Sequence, residues 1–102
     1  QGEGVSKDDK EAFKWCLQAA QGGHVDAQNS LGYCYAEGLG VLKDFASAYA
    51  WYSIATFAGH AESSQSCALL EKEMDPYHIA KGQELAKKML KEIEARKAKD
   101  KK

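Results

Sequence analysis

Between Phe45 and Ala58, small and aromatic side chains recur at Ala48, Trp51, Tyr52 and Ala55, a spacing that places all four on one face of a helix. Asp44 stands where a carboxylate can accept the first free amides, and Gly59 stands where a helix stops, so the pattern predicts a helix over about 45–58. A second stripe, Ala27, Leu31, Gly32 and Tyr35, predicts a helix before it, with Gly32 leaving room for a neighbour to approach closely. Glu37-Gly38-Leu39-Gly40-Val41 turns the corner between the two on glycines free to take positive φ, and Val41 is expected to fold back on the core. Towards the N-terminus, Ala12, Trp15, Cys16 and Ala19 form a matching buried face, with Asp8 as cap and Gly22-Gly23 as stop. Towards the C-terminus, Asp75-Pro76 opens a long helix whose stripe is Ile79, Leu85, Ala86, Met89, Leu90 and Ile93, and the basic run from Arg96 to Lys102 is expected to fray.

These stripes are copies. A shift of 36 residues lays Trp15 on Trp51, Gly23-His24 on Gly59-His60, and Gly2-x-Gly4-Val5-x-Lys7-Asp8 on Gly38-x-Gly40-Val41-x-Lys43-Asp44. Ala12/Ala48, Ala19/Ala55 and Ser30/Ser66 fall into step as well. What recurs packs helices and turns corners, while the polar positions between vary. One such unit cannot bury its own apolar face, so units stack into a solenoid, an all-α architecture that usually presents a surface to partners. One further shift puts Cys67 on Leu31, Ala68 on Gly32, Glu71 on Tyr35 and Met74 on Gly38, so the last unit has lost its glycine loop and reads as a cap.

The string Ala27-x-x-x-Leu31-Gly32-x-x-Tyr35-x-x-Gly38-x-Gly40-Val41-x-x-Asp44-x-x-x-Ala48-x-x-Trp51-Tyr52-x-x-Ala55-x-x-x-Gly59 resembles the Sel-one-like repeat, a cousin of the tetratricopeptide repeat. Gly2 to Gly23 resembles its second half, with Cys16 in place of the second aromatic. The stretch from Met74 through Leu85-Ala86 resembles the closing helix of bacterial members. The resemblance implies an α/α superhelix (solenoid) of antiparallel helix pairs with a C-terminal capping helix. On that pattern residues 1–95 form one repeat domain: a half repeat at 1–26, a full repeat at 27–62 and a degenerate capping repeat at 63–95, followed by a basic tail at 96–102. The resemblance also implies an adaptor or scaffold role without catalytic residues, commonly in bacteria and also in endoplasmic-reticulum quality control, which leaves bacterial cytoplasm and periplasm open. Some secreted bacterial relatives carry helix-bridging cysteine pairs and have been proposed to bind penicillin-like compounds. Cys16, Cys34 and Cys67 do not reproduce that spacing.

Length and composition narrow the reading further. At 102 residues, with one proline and 44% hydrophobic side chains, the chain has room for a single ordered domain. It begins on Gln1 inside a loop motif and so reads as a processed form or a fragment. Residues 1–80 carry five basic and eleven acidic side chains, and residues 81–102 carry nine basic and four acidic. The C-terminal lysines are interleaved with Glu84, Glu92, Glu94 and Asp100 and have no aromatic residues among them, so a solvated helix face is expected rather than a nucleic-acid or membrane site. Three cysteines without C-x-x-C spacing indicate neither a disulfide framework nor a zinc site. His24 and His60 lie one repeat apart, roughly 10 Å in a stack of helices, too far to share a metal, and are expected instead to meet the carbonyls of the preceding helix ends. No cofactor or metal is called for, and Gly38-x-Gly40 lacks the strand and the lysine-serine ending of a phosphate loop.

The remaining expectation is a concave binding face lined by the first helix of each unit. Gln28, Asn29 and Tyr33, with Ser64, Gln65 and Leu69 as their counterparts, are the expected contacts with a protein or peptide partner. The alternatives are a penicillin-binding or β-lactam-hydrolysing relative, and a structural fragment that dimerises through the uncovered N-terminal end carrying Trp15.

Overall fold

The computed structural model describes residues 7–100, with side chains from Asp8 to Lys99. Five helices follow in order: α1 (Lys7–Gln21), α2 (Val25–Glu37), α3 (Phe45–Phe57), α4 (Ala61–Glu73) and α5 (Pro76–Asp100). The loop residues Gly2, Gly4 and Val5, and the tail residues Lys101 and Lys102, lie outside the described residues.

Local chemistry sets the helix ends. Asp44 Oδ1 accepts the amides of Ala46 and Ser47 at 3.1 and 3.3 Å, which satisfies two free donors at the start of α3. Helix α2 ends when Gly38 turns left-handed (φ 74°) and its amide, with that of Leu39, folds back on the Cys34 carbonyl. Asp8 does not cap α1, contrary to the sequence reading. It sits inside the first turn, where its charge opposes the positive end of the helix dipole.

The two repeat histidines act differently from expectation. Their backbone amides do close the preceding helices, His24 on Ala19 and His60 on Ala55. Their imidazoles, however, open the next ones: His24 Nδ1 accepts from the Ala27 amide at 3.2 Å and His60 Nδ1 from the Ser63 amide at 3.3 Å. One residue thus finishes one helix and starts another, which makes the turn very short.

Helix α3 is the centre of the molecule. Ala48, Ala50 and Ala55 are fully buried, and Trp51 and Tyr52 are 4% and 5% exposed. On one side Trp51 and Ile54 pack with Ala20, Leu31 and Ile93; on the other Ala48, Tyr49 and Tyr52 pack with Leu70. Gly32 admits the Tyr52 ring so closely that a Cβ there would stand 2.8 Å from it, the close approach its place on the stripe predicts. Helix α5 runs beside α3 in the same direction. Gly82 lies against Tyr49 and the Ala46 carbonyl, Ile93 joins the Trp51 cluster, and Lys97 reaches the α1–α2 turn at Gly23. The stretch from Arg96 to Asp100, expected to fray, continues this helix.

The N-terminal unit departs from its expected burial. Ala12 is exposed and Trp15 is 70% exposed, because no described element stands where α2 stands against the corresponding face of α3. Burial in α1 falls to Ala20, with Phe13, Cys16 and Leu17 partly covered.

Candidate functional site

Helices α2 and α4 hold the same place in successive units. Their N-terminal ends are tied by two polar links: His60 Nε2 lies 3.5 Å from Asp26 Oδ1, and Ser63 Oγ donates to Asn29 Oδ1 at 2.7 Å. Towards their C-terminal ends a groove of about 450 Å³ opens between them, with Tyr52 of α3 among its lining residues. Tyr33, Ala36 and Glu37 of α2 line one side and Leu69, Lys72 and Glu73 of α4 the other, and these are the same three repeat positions. Phe45 and Lys43 line it too, with the Lys43 ammonium 5.5 Å from the centre of the Phe45 ring.

The groove is apolar in the middle and carries both signs of charge. Tyr33 is 53% and Leu69 63% exposed, large side chains that the fold itself does not cover. Spaced at i, i+3 and i+4, positions 33, 36 and 37 share a helix face, as do 69, 72 and 73.

Of the six expected contact residues, Tyr33 and Leu69 line this groove. Ser64 and Gln65 are exposed but lie outside it. Gln28 is a correction: at 2% exposure it is unavailable to a partner, because its Nε2 donates to the Ala20 carbonyl at the end of α1. Asn29 is half-buried and accepts the Ser63 hydroxyl, so it joins α2 to α4. Sequence reasoning missed Ala36, Glu37, Lys72 and Glu73. The signal was present, since each lies three or four residues beyond Tyr33 or Leu69.

One cluster has the residue types of a hydrolytic triad. Ser63 Oγ is 3.0 Å from His60 Nδ1, whose Nε2 faces Asp26. The arrangement does not make a nucleophile, for Ser63 is fully buried and its hydroxyl proton is directed to Asn29. A scissile carbonyl cannot reach the oxygen, and His60 Nδ1 is already engaged by the Ser63 amide. The three cysteines are free thiols. Burial pushes the Cys34 thiol up, with Cys16 and Asp9 adding to the effect, and burial does the same at Cys67, which disfavours the reactive thiolate at both. Among the described residues no three histidine, cysteine or acidic side chains gather to hold a metal ion, and no helix is long and apolar enough to cross a membrane.

The family model of the Sel1 repeat matches residues 1–24 and 25–60, more than half of the chain. The chain belongs to the Sel1 repeat family. Its helices are the expected ones for that repeat, an all-α helical repeat solenoid. Sel1 repeat proteins are generally protein-interaction modules, and the repeats are typically non-catalytic. No curated protein was found to match the sequence.

Proposed function

We propose that this chain is a non-enzymatic adaptor or scaffold module, and that the groove between α2 and α4 receives a peptide or an exposed segment of a protein partner. The observation behind the reading is the pair Tyr33 and Leu69. One repeat position carries a large exposed apolar side chain in both units, and the two face the same groove. An aromatic and an aliphatic anchor flanked by charges of both signs suit an amphipathic ligand, with Glu37, Lys43, Lys72 and Glu73 setting its orientation. A groove of about 450 Å³ has room for only a short segment, so affinity for a peptide is expected to be modest.

A peptide library displayed against the folded chain tests this. Changing Tyr33 and Leu69 together to alanine is expected to weaken the selected peptides by about tenfold or more, since truncating two central anchors removes over 1.4 kcal/mol. Changing Ser64 and Gln65 to alanine, outside the groove, is expected to leave binding unchanged. Peptides indifferent to the first variant would move the binding face elsewhere.

A further inference from the structure

The two helices that wall the groove are acidic. Helices α2 and α4 carry Asp26, Glu37, Glu62, Glu71 and Glu73 against a single base, Lys72. Lys43, the other base on the lining, comes from the α2–α3 loop and stands over the Phe45 ring, 5.5 Å from its centre. The charged side chains that line the groove thus balance, Glu37 and Glu73 against Lys43 and Lys72. The backbone tips that balance. Helix α2 ends at Glu37 and α4 at Glu73, so the negative ends of two helix dipoles lie at the same end of the groove.

These two helix ends are finished differently. At α2 the Gly38 and Leu39 amides fold back on the Cys34 carbonyl, and the Asp44 amide takes that of Tyr35. At α4 the chain leaves through Met74 in an extended conformation, and among the described residues no backbone amide beyond the helix returns to a carbonyl of its last turn. Such carbonyls remain open to a cationic donor. The lining also holds three aromatic rings, Tyr33, Phe45 and Tyr52. A ring face attracts a cation, and Lys43 on Phe45 is one already so placed. Burial raises the Tyr52 phenol and the Glu37 carboxylate adds to it, so the negative field of this end reaches the floor of the groove.

We propose that the groove takes a basic segment of a partner protein, with an apolar residue between Tyr33 and Leu69 and an arginine or lysine at the end that carries Glu37 and Glu73. This rests on the groove as the binding face and adds the sign of the ligand's charge. Lys43 is then an internal competitor, holding the ring that the ligand's cation takes. The wider field agrees, since residues 1–80 carry five basic and eleven acidic side chains, a surplus that steers a cationic partner towards this part of the chain.

Three sets of short synthetic peptides test it, each with blocked ends and a fixed central leucine, and with flanks that are basic, acidic or neutral. Binding is followed by fluorescence anisotropy of a label on the peptide. The basic set is expected to bind about tenfold more tightly than the neutral one and to weaken as salt is raised. Glu37→Gln with Glu73→Gln is expected to remove most of that preference. Asp8→Asn with Glu11→Gln, two exposed acids of α1 outside the groove, is expected to keep it. Lys43→Met is expected to tighten the basic set several-fold by freeing the Phe45 ring. All these side chains are exposed, so the melting midpoints of the variants should match the parent's. Neutral or acidic peptides that bind as tightly as basic ones would overturn the proposal, and if they still depend on Tyr33 and Leu69 the groove itself stands. An α1 variant that loses as much as the groove variant would also overturn it, because bulk charge would then be the cause. Basic peptides indifferent to Tyr33→Ala with Leu69→Ala would remove the groove as the binding face, and this proposal with it.

Discussion

Position 40 shows how tightly a single residue can be specified here. Gly40 is left-handed (φ 77°), and an added Cβ would collide with the Asp9 carbonyl and the Phe13 side chain of α1, so conformation and space both demand glycine. Gly59 is also left-handed (φ 100°), but nothing lies within 4 Å of an added Cβ. Gly40→Ala is therefore expected to cost about 3 kcal/mol and Gly59→Ala about 1 kcal/mol, the difference measured by urea unfolding. The sequence marked both as turn glycines, but the contact with α1 that separates them is long-range and was not legible. The histidines were misassigned for a related reason. Ser, Thr, Asp and Asn dominate helix starts, and an imidazole becomes a cap only because the preceding Gly-Gly or Ala-Gly turn aims Nδ1 at the next amides. Gln28 could not be read at all, since its burial answers a carbonyl on another helix. Tyr49 gives a prediction with a sign. Its ring is buried and its hydroxyl donates to Glu71 Oε2 at 2.6 Å, and burial followed by that bond pushes its pKa up to about 12. A raised folded-state pKa contributes stability that is intact below the ordinary value of 10.0 and is lost as pH rises towards about 12. Tyrosinate absorbance should lose its latest-titrating component in Tyr49→Phe, while Tyr35 and Tyr52, also raised by burial, still titrate above the ordinary value, and alkaline unfolding should be less steep in that variant.

At the scale of elements, α5 depends on its packing along α3. Its stripe was legible from spacing alone, and Ile79, Met89, Leu90 and Ile93 all pack as that spacing requires. Gly82, in the interior of α5, is buried where that helix lies on α3, because only a residue without a side chain lets Tyr49 and the Ala46 carbonyl come so near. The register of one helix on another is what a single-chain pattern leaves unstated. Ile93 is the anchor near the far end, 5% exposed beside Trp51, and Ile93→Ala is expected to cost about 3 kcal/mol in thermal or urea unfolding. The near end depends on Asp75, whose Oδ1 accepts the His78 amide at 2.8 Å. That bond, then the His78 imidazole, holds the Asp75 carboxyl below its ordinary value of 3.8. A lowered folded-state pKa contributes stability that is present above the ordinary value and is lost as pH falls through the folded one. The circular-dichroism melting midpoint should therefore drop as pH falls below about 4, and Asp75→Asn should flatten the drop.

At the scale of the molecule, the described helices leave two apolar surfaces uncovered, the groove between α2 and α4 and the Trp15 face of α1. The period of 36 residues made the helices, their order and the buried face of α3 legible, because core positions recur wherever a solenoid stacks. The groove was only half legible. Tyr33 and Leu69, which line it, were named from their place off the packing stripe and their shared repeat position, but the charged pairs Glu37/Glu73 and Lys43/Lys72 come together only because α2 and α4 lie side by side and the α2–α3 loop folds in at the same end. The charge asymmetry along the chain resolves into an α5 whose outer face carries Lys87, Lys88 and Lys91 among Glu84 and Glu92, a mixed solvated surface rather than an anion site. We propose that partners are met in the groove between α2 and α4. It is tested most directly by backbone amide chemical-shift mapping of the chain titrated with a peptide selected against it. The largest shifts are expected at Tyr33, Ala36 and Glu37 together with Leu69, Lys72 and Glu73, and are expected to be lost when Tyr33 and Leu69 become alanine. Shifts concentrated on α1 or on the lysine face of α5, with the groove silent, would contradict it.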